Sequence, residues 1–126
     1  MVILDTNIII DHLRQAKTKD SRLVRIAKQK PKESLAMSMI SIQELYEGES
    51  TKDEIKEQFL LATIAPLKIL PYTYKMAQLA GEIARDLRRP IELADAAIAA
   101  TVIERGACLF TLNKKDFRNI KGLELV

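Results

Sequence analysis

Short apolar runs alternate with longer segments of helical periodicity along this chain. The first run, residues 2–4, leads directly into Asp5, and similar runs occupy residues 35–40, 67–70 and 107–111. Short continuous apolar runs bounded by polar residues predict buried strands. Residues 123–126 form a last short run, which predicts an edge strand. The pattern therefore places a strand at the beginning of the chain, two in its middle and one or two near its end.

The segments between these runs have the spacing of helices. Residues 72–89 carry apolar side chains three and four positions apart, and residues 92–105 form an alanine-rich segment that ends at Gly106. Shorter helices are predicted after Asp5, within the basic segment 14–32, at 41–47 and from residue 50 or 51 to Pro66. Ser41 with Glu44 three positions later has the pattern of a capping box. Residues 113–117 are predicted to be a loop or one helical turn.

Strands that alternate with helices are typical of a sheet covered by helices on both faces. The prediction is an α/β fold, a three-layer α/β/α sandwich with a mostly parallel sheet of four to five strands. With 126 residues, 48% of them hydrophobic, the chain is expected to form a single domain over residues 1–126.

Composition and charge narrow the class of protein. No apolar run approaches the roughly 18 residues that a membrane span needs, and the first run has no basic leader, so no signal peptide is expected. The single cysteine, Cys108, excludes an intramolecular disulfide and suits a reducing compartment. We therefore expect a cytoplasmic protein without a membrane partner. The net charge of +3 permits nucleic-acid binding without requiring it.

Four acidic residues follow strands or begin helices along the predicted sheet. Asp5 ends the first strand, Glu44 lies past the second, Asp95 lies in the first turn of the alanine-rich helix, and Asp116 follows the fourth strand. In a parallel sheet, strand ends and the starts of the following helices lie on one edge, where ligands bind. The topology therefore predicts that the four carboxylates converge.

Each acid also has a purely structural interpretation. Asp5 can cap the first helix, Glu44 can close the capping box, and Asp95 can complement a helix dipole. Asp116 can pair with Lys114 or Arg118. Four carboxylates on one edge, however, repel and raise each other's pKa unless a cation lies between them. Mg²⁺, which a few carboxylates hold together with waters and substrate phosphate, is the expected cation.

The motifs around these acids resemble those of a known family. They are Asp5-Thr6-Asn7, Ser41-Ile42-Gln43-Glu44-Leu45, Asp95-Ala96-Ala97-Ile98-Ala99-Ala100, and Thr111-Leu112-Asn113-Lys114-Lys115-Asp116-Phe117 followed by Gly122-Leu123. In order and spacing the chain resembles a PIN-domain ribonuclease, most closely the VapC-type toxins of bacterial and archaeal toxin–antitoxin pairs.

This resemblance implies that Asp5, Glu44, Asp95 and Asp116 are the catalytic, metal-binding acids. It implies polar support from Thr6, Asn7, Thr111 and Asn113. It also implies Mg²⁺ or Mn²⁺ as cofactor, an RNA substrate, a homodimer and a cognate antitoxin.

Several basic residues are predicted near the acidic edge of the sheet. Arg85, Arg88, Arg89, Lys114 and Lys115 are candidates for contacts to RNA phosphates, which give affinity and position without sequence choice. Glu92, three residues before Asp95, is interpreted as a partner of the helix dipole rather than as a metal ligand. His12, the only histidine, is expected to pack on a helix or lie in solvent.

The leading functional hypothesis is a metal-dependent endoribonuclease, the toxin of a type II pair. One alternative is a receiver domain that accepts a phosphoryl group, although the third strand ends at Leu70-Pro71 without the acceptor aspartate. Another is a PIN-like protein that binds or processes RNA and is not a toxin.

Overall fold

The computed structural model describes residues 1–15 and 20–126, so four positions of the predicted basic segment 14–32 lie outside the described residues. Its strands are β1 (Val2–Leu4), β2 (Leu35–Ser38), β3 (Lys68–Leu70) and β4 (Cys108–Phe110). Its helices are α1 (Thr6–Arg14), α2 (Arg22–Gln29), α3 (Met39–Glu47), α4 (Glu54–Ile64), α5 (Tyr74–Asp86) and α6 (Leu93–Glu104). Short 3₁₀ helices occupy Glu49–Lys52 and Lys114–Phe117.

The four strands form one parallel sheet in the order β3-β2-β1-β4. The chain builds outward from β1 through β2 to β3, and then crosses to the other side of β1 to form β4. This order confirms the predicted α/β fold and differs from the 2-1-3-4-5 order of receiver domains, so the receiver alternative is wrong. The reversal of strand order beside β1 creates the crevice in which such sheets bind ligands.

The sheet separates two hydrophobic cores, as alternation along the strands requires. On one face, Ile3 and Leu109 pack with Ile98 and Val102 of α6. On the other face, Leu4 packs with residues of α1, α2, α3 and α4, which include Ile8, Ile9, Leu23, Ile26, Leu45 and Leu60. The sandwich thus has helices on both faces, which confirms the predicted layers.

Helix α5 covers α6 rather than the sheet directly. Met76 and Ala80 of α5 pack against Ala96 and Ala100 of α6 in a third apolar cluster. Because the three alanine side chains are small, the two helices can lie close together. The apolar stripe predicted over residues 72–89 is therefore largely buried within the chain.

The structure moves the predicted boundary between β2 and α3. Strand β2 ends at Ser38, whose hydroxyl accepts a hydrogen bond from the Ile40 amide and caps α3. Ser41 is consequently a buried residue inside α3, and the predicted capping box is wrong. The apolar run continues through Met39 and Ile40 into the helix, so hydrophobicity alone hides the end of the strand.

The end of the chain pairs with β4 less extensively than predicted. Residues 123–126 make a single parallel bridge, in which Leu125 opposes Leu109. The 3₁₀ helix Lys114–Phe117 confirms the helical turn predicted after β4. Within residues 1–15 and 20–126, no helix is long and apolar enough to cross a membrane.

Candidate active site

Asp5 lies where β1 ends and α1 begins, and it is only 5% exposed. Its Oδ1 accepts a hydrogen bond from the Thr6 amide at 2.8 Å, and its Oδ2 accepts one from the Thr111 hydroxyl at 2.7 Å. Burial raises the pKa of this carboxyl, and the two hydrogen bonds partly oppose that increase. Asp5 is thus both the N-cap of α1 and a held carboxylate at the crevice, so its two sequence interpretations are compatible.

Thr111 connects the ends of β1 and β4. Besides donating to Asp5, its hydroxyl oxygen accepts from the Asn113 amide at 3.0 Å and lies 3.4 Å from Nδ2 of Asn7. The Asn7 carbonyl oxygen in turn accepts from the Leu112 amide at 3.3 Å. These bonds fasten the loop after β4 to the first turn of α1, next to the crevice.

Glu44 is held by a second threonine. The Thr6 hydroxyl lies 2.5 Å from Oε1 of Glu44 and 2.8 Å from Oγ of Ser41. A hydroxyl carries one proton, so Thr6 donates to the carboxylate while its oxygen accepts from Ser41. Burial raises the pKa of Glu44, and the negative charge of Asp5 adds to the increase.

Asp95 is the acid with the largest electrostatic perturbation in this cluster. Burial raises its pKa to about 7, with further contributions from the charges of Asp5, Asp116, Glu44 and Glu92. The contributions of these charges show that the carboxylates lie within electrostatic reach of one another. The structure thus brings together the four acids that the sequence placed on one edge.

Asp116 lies across the crevice on the 3₁₀ helix after β4. Its Oδ2 accepts a hydrogen bond from Nδ2 of Asn113 at 2.6 Å, rather than an ion pair from Lys114 or Arg118. Asp116 and Asp95 line one pocket of about 360 Å³. The other residues of this pocket are Arg89, Pro90, Ile91, Glu92 and Leu93.

The predicted basic residues have different environments. Arg85 makes a two-point ion pair with Asp86, at 2.7 and 2.9 Å. Arg89 donates from Nη2 to the backbone oxygens of Asp116 and Arg118, at 3.1 and 2.6 Å. Arg88, Lys114 and Lys115 are exposed. Their side chains make no ion pair within the described part of the chain.

The donor set of the crevice suits a hard divalent cation, since carboxylate oxygens are its preferred protein ligands. As placed in residues 1–15 and 20–126, no three acidic, histidine or cysteine side chains stand close enough together to ligate one ion. Mg²⁺ does not require such a cage, because it retains several waters and uses one or two carboxylates directly. The carboxylates around Asp95 therefore suit a cation that keeps part of its water shell when it binds.

His12 and Cys108 lie outside this site. The His12 ring stacks on Phe59, with centroids 6.0 Å apart, and its Nδ1 lies 2.7 Å from the Ser21 hydroxyl. The predicted packing of His12 on a helix is thus confirmed. The Cys108 thiol lies near Glu124, and burial raises its pKa, which makes it a poor nucleophile.

Sequence reasoning missed two contributors to the site. Ser41 supports Thr6. The sequence feature that indicates this role is the spacing of three residues, which places Ser41 on the same helix face as Glu44. Glu92, interpreted as a dipole partner, lines the acidic pocket and adds to the field at Asp95 and Glu44. Its position just before α6 is the signal for that role.

Comparisons with known proteins agree with this geometry. The family model of the PIN domain matches residues 2–123. The chain is 34% identical to "Ribonuclease VapC10" of Mycobacterium tuberculosis, over 98% of this chain and 91% of that protein. It is 38% identical to "Ribonuclease VapC1" of Rickettsia felis, over 71% of this chain and 73% of that protein.

Solved structures of toxin–antitoxin complexes share the fold. VapBC2 from Rickettsia felis, bound to a DNA fragment from its promoter, superposes with a TM-score of 0.86 at 26% identity, over 100% of this chain and 98% of that one. VapBC-1 from nontypeable Haemophilus influenzae superposes with a TM-score of 0.81 at 27% identity, over 100% of this chain and 97% of that one. The chain therefore belongs to the PIN-domain family and, within it, to the VapC-type ribonucleases.

Proposed function

We propose that this chain is the endoribonuclease toxin of a toxin–antitoxin pair, and that it hydrolyses RNA phosphodiesters at the pocket between Asp95 and Asp116. One observation carries the proposal. Carboxylates from four separate elements lie within electrostatic reach of one another at one crevice, where burial, together with the charges of the other acids, raises the pKa of Asp95 to about 7. The membership of the VapC-type ribonucleases supports the same reaction.

A divalent metal, Mg²⁺ or Mn²⁺, is the proposed cofactor, and Asp5, Glu44, Asp95 and Asp116 are the residues that would hold it. When bound, it would lower the pKa of a water ligand and stabilise negative charge on the phosphate. A cation at this position would also offset the repulsion among the carboxylates.

The remaining polar residues position these acids. Thr111 and the Thr6 amide fix both oxygens of Asp5, the Thr6 hydroxyl fixes Glu44, and Asn113 fixes Asp116. Groups held in this way need no reorganisation when substrate arrives. Asp95, without such a hydrogen bond in the described residues, is free to exchange its proton with solvent near neutral pH.

We also propose a cognate antitoxin and a homodimer. The two solved relatives above are VapBC structures, and a third, from Klebsiella pneumoniae, is described as a toxin–antitoxin complex, which supports a protein partner for this chain. An arginine from such a partner, inserted among the four acids, would pair with two carboxylates and compete with the metal. Light scattering at high micromolar concentration tests the dimer, and a monomer would contradict it.

Cleavage of a mixed RNA pool with added Mn²⁺ or Mg²⁺ tests the catalytic proposal. Wild-type protein should cleave only with metal, whereas Asp5→Asn, Asp95→Asn and Glu44→Gln should each lose cleavage while remaining folded. Asp53→Asn is the matched control, because Asp53 caps α4 at the surface and asparagine preserves the cap. Cleavage at the wild-type rate by Asp5→Asn would contradict the assignment.

A growth experiment separates a toxin from an RNA-processing enzyme. Expression of this chain alone should arrest growth, and co-expression with the neighbouring antitoxin gene should restore it. If the purified protein cleaves RNA but its expression is harmless, the alternative of a PIN-like processing protein replaces the toxin.

A further inference from the structure

A second groove lies against the acidic pocket. It has a volume of about 500 Å³ and is lined by Asp86, Leu87, Arg88, Arg89, Arg118 and Asn119. Arg89 lines both the groove and the acidic pocket, so its side chain forms the boundary between them. A strand that occupied the acidic pocket could thus continue past Arg89 into this groove.

The groove carries positive charge that the described residues do not neutralise. Its only acid, Asp86, is engaged at both oxygens by Arg85. Arg88 and Arg118 are both exposed, and neither forms an ion pair within residues 1–15 and 20–126. Within the described part of the chain, the Arg118 side chain uses only Nη1, which donates to the Lys115 oxygen at 3.0 Å. Both guanidinium groups therefore retain N–H donors that are available to an anionic ligand.

Arg89 is less available to such a ligand than its neighbours. Its Nη2 is committed to two backbone oxygens, those of Asp116 and Arg118, and its Nε is buried with no hydrogen-bond partner among residues 1–15 and 20–126. A buried donor without an acceptor costs free energy, whereas the two hydrogen bonds of Nη2 tie Arg89 to the segment around Asp116 and Arg118. Arg89 therefore fastens the chain that carries Asp116 and Arg118, and it separates the acidic pocket from the basic groove.

The floor of the groove has a fixed backbone. Asn119 has a φ of 63°, the left-handed region that asparagine adopts more readily than other side chains with a Cβ. The next residue, Ile120, is buried in the core. This turn sets the path of the chain next to Arg118, while Arg88 lines the groove from the segment that follows α5.

We propose that this groove is a phosphate subsite for the RNA strand, in which Arg88 and Arg118 bind a phosphodiester next to the one that is cleaved. The proposal rests on the function proposed above. Arginine forks suit phosphate oxygens, and such contacts set the position of the strand without reading its bases. Arg118 thus joins the candidate contacts, whereas Arg85 and Arg89 serve structural roles.

Binding measurements without catalysis test the subsite. Fluorescence anisotropy with a short labelled single-stranded RNA pool in EDTA compares wild type with Arg88→Gln and Arg118→Gln. Each phosphate contact contributes about 0.7 to the slope of log affinity against log salt for single strands. Raising the salt from about 50 to about 200 mM weakens RNA binding in every protein, and the fold-loss of affinity should be roughly three times smaller in each variant than in wild type.

Arg105→Gln is the matched control, because Arg105 is exposed and caps the opposite end of α6 from Asp95. It should retain the wild-type salt slope. In cleavage assays with metal, Arg88→Gln and Arg118→Gln should raise KM several-fold and leave kcat within about twofold, since the lost contacts bind ground state and transition state alike.

The outcomes separate the subsite from the proposed function. A wild-type slope in both variants would overturn the subsite, whether or not the protein cleaves RNA. Variants that bind RNA normally but lose affinity for the co-expressed antitoxin would also overturn it and assign the groove to that protein. If the variants show the reduced slope while wild type cleaves no RNA with any metal, the subsite stands and the nuclease proposal fails.

Discussion

Thr6 contacts two acids of the site, one through its backbone amide and the other through its side-chain hydroxyl. The amide holds Asp5, while the buried hydroxyl connects Ser41 to Glu44. Replacing the hydroxyl with a methyl group leaves Ser41 and Glu44 without this partner, and a buried group without its partner costs about 1–3 kcal/mol. The position is therefore sensitive to changes that preserve its shape.

For Thr6→Val we expect a loss of about 1–3 kcal/mol in the free energy of unfolding, measured by urea denaturation in EDTA. Mn²⁺ affinity, measured by calorimetry, should fall as well because Glu44 is no longer oriented. Thr6→Ser keeps the hydroxyl and serves as the control, with both quantities close to those of wild type. Equal stability of the valine and serine variants would show that the hydrogen bonds contribute nothing measurable.

Asp95 gives the metal-free protein a defined dependence on pH. Its pKa rises from 3.8 in the unfolded chain to about 7 in the folded one, mainly through burial. The folded state therefore holds this proton more tightly, and the resulting stabilisation is complete below pH 3.8 and is lost as the pH rises through about 7.

Thermal melts in EDTA between pH 5 and pH 8 should accordingly show a melting temperature that decreases with pH, by an amount that solvent exposure of Asp95 keeps modest. In Asp95→Asn the decrease should be smaller, because the group that titrates is absent. Metal affinity should change in the opposite direction and rise with pH, since the cation displaces the proton. A wild-type melting temperature that increases over this range would contradict the assignment.

Residue types and their positions at strand ends were sufficient to place Asp5, Glu44, Asp95 and Asp116 on one edge of the sheet, where their charges interact. They could not predict which group holds each oxygen, because those partners are distant in the chain. Asp5 and Thr111 are 106 positions apart, and the basic groove depends on Arg118, which follows the last motif. Strand order decides which of these distant residues come into contact, and the local sequence pattern does not indicate strand order.

At the scale of elements, α6 shows how a helix without an amphipathic stripe is stabilised. Every residue from Ala96 to Val102 is buried, because the sheet covers one side of α6 and α5 covers another. Ala100 is fully buried at the contact with α5. Its small side chain keeps the helices close, and the same packing fixes Asp95 at the start of α6.

Ala100→Leu should therefore destabilise the protein by about 1–3 kcal/mol, since extra methylene groups force the packed helices apart. Chemical denaturation measures the loss. Ala62→Leu places the same change on an exposed position of α4 and should remain within about 0.5 kcal/mol of wild type. Similar losses in the two variants would show that the contact between α5 and α6 is loosely packed.

The helical periodicity of residues 72–89 and the alanine-rich segment were enough to predict α5 and α6. Periodicity failed at Ser38, where the strand passes into α3 without a change in hydrophobicity. There the helix start depends on one hydroxyl that accepts from the Ile40 amide. The sequence offered two serines three positions apart, and only the packing of the strand decides between them.

At the scale of the whole molecule, metal binding should couple to unfolding. A ligand that binds only the folded state adds RT ln(1 + [L]/Kd) to its stability, about 2.7 kcal/mol at one hundred times Kd. Since the acids come from distant parts of the chain, the unfolded state offers no equivalent site. Mn²⁺ is therefore expected to stabilise the entire fold.

Melting temperatures measured against Mn²⁺ concentration should rise in wild type and in the surface variant Asp53→Asn. The increase should shrink in Asp95→Asn and in Glu44→Gln. A melting temperature that ignores Mn²⁺ throughout the millimolar range would contradict a shared metal site.

The strand order also decides when during folding the crevice can form. β1 lies between β2 and β4, and it begins at Val2 whereas β4 begins at Cys108. Pairing β1 with β4 therefore closes a much longer loop than pairing it with β2, and the longer loop costs more conformational entropy. We expect β1 and β2, which precede Asp5 and Glu44, to pair early, and the crevice to be completed only when β4 brings Asp116 to it.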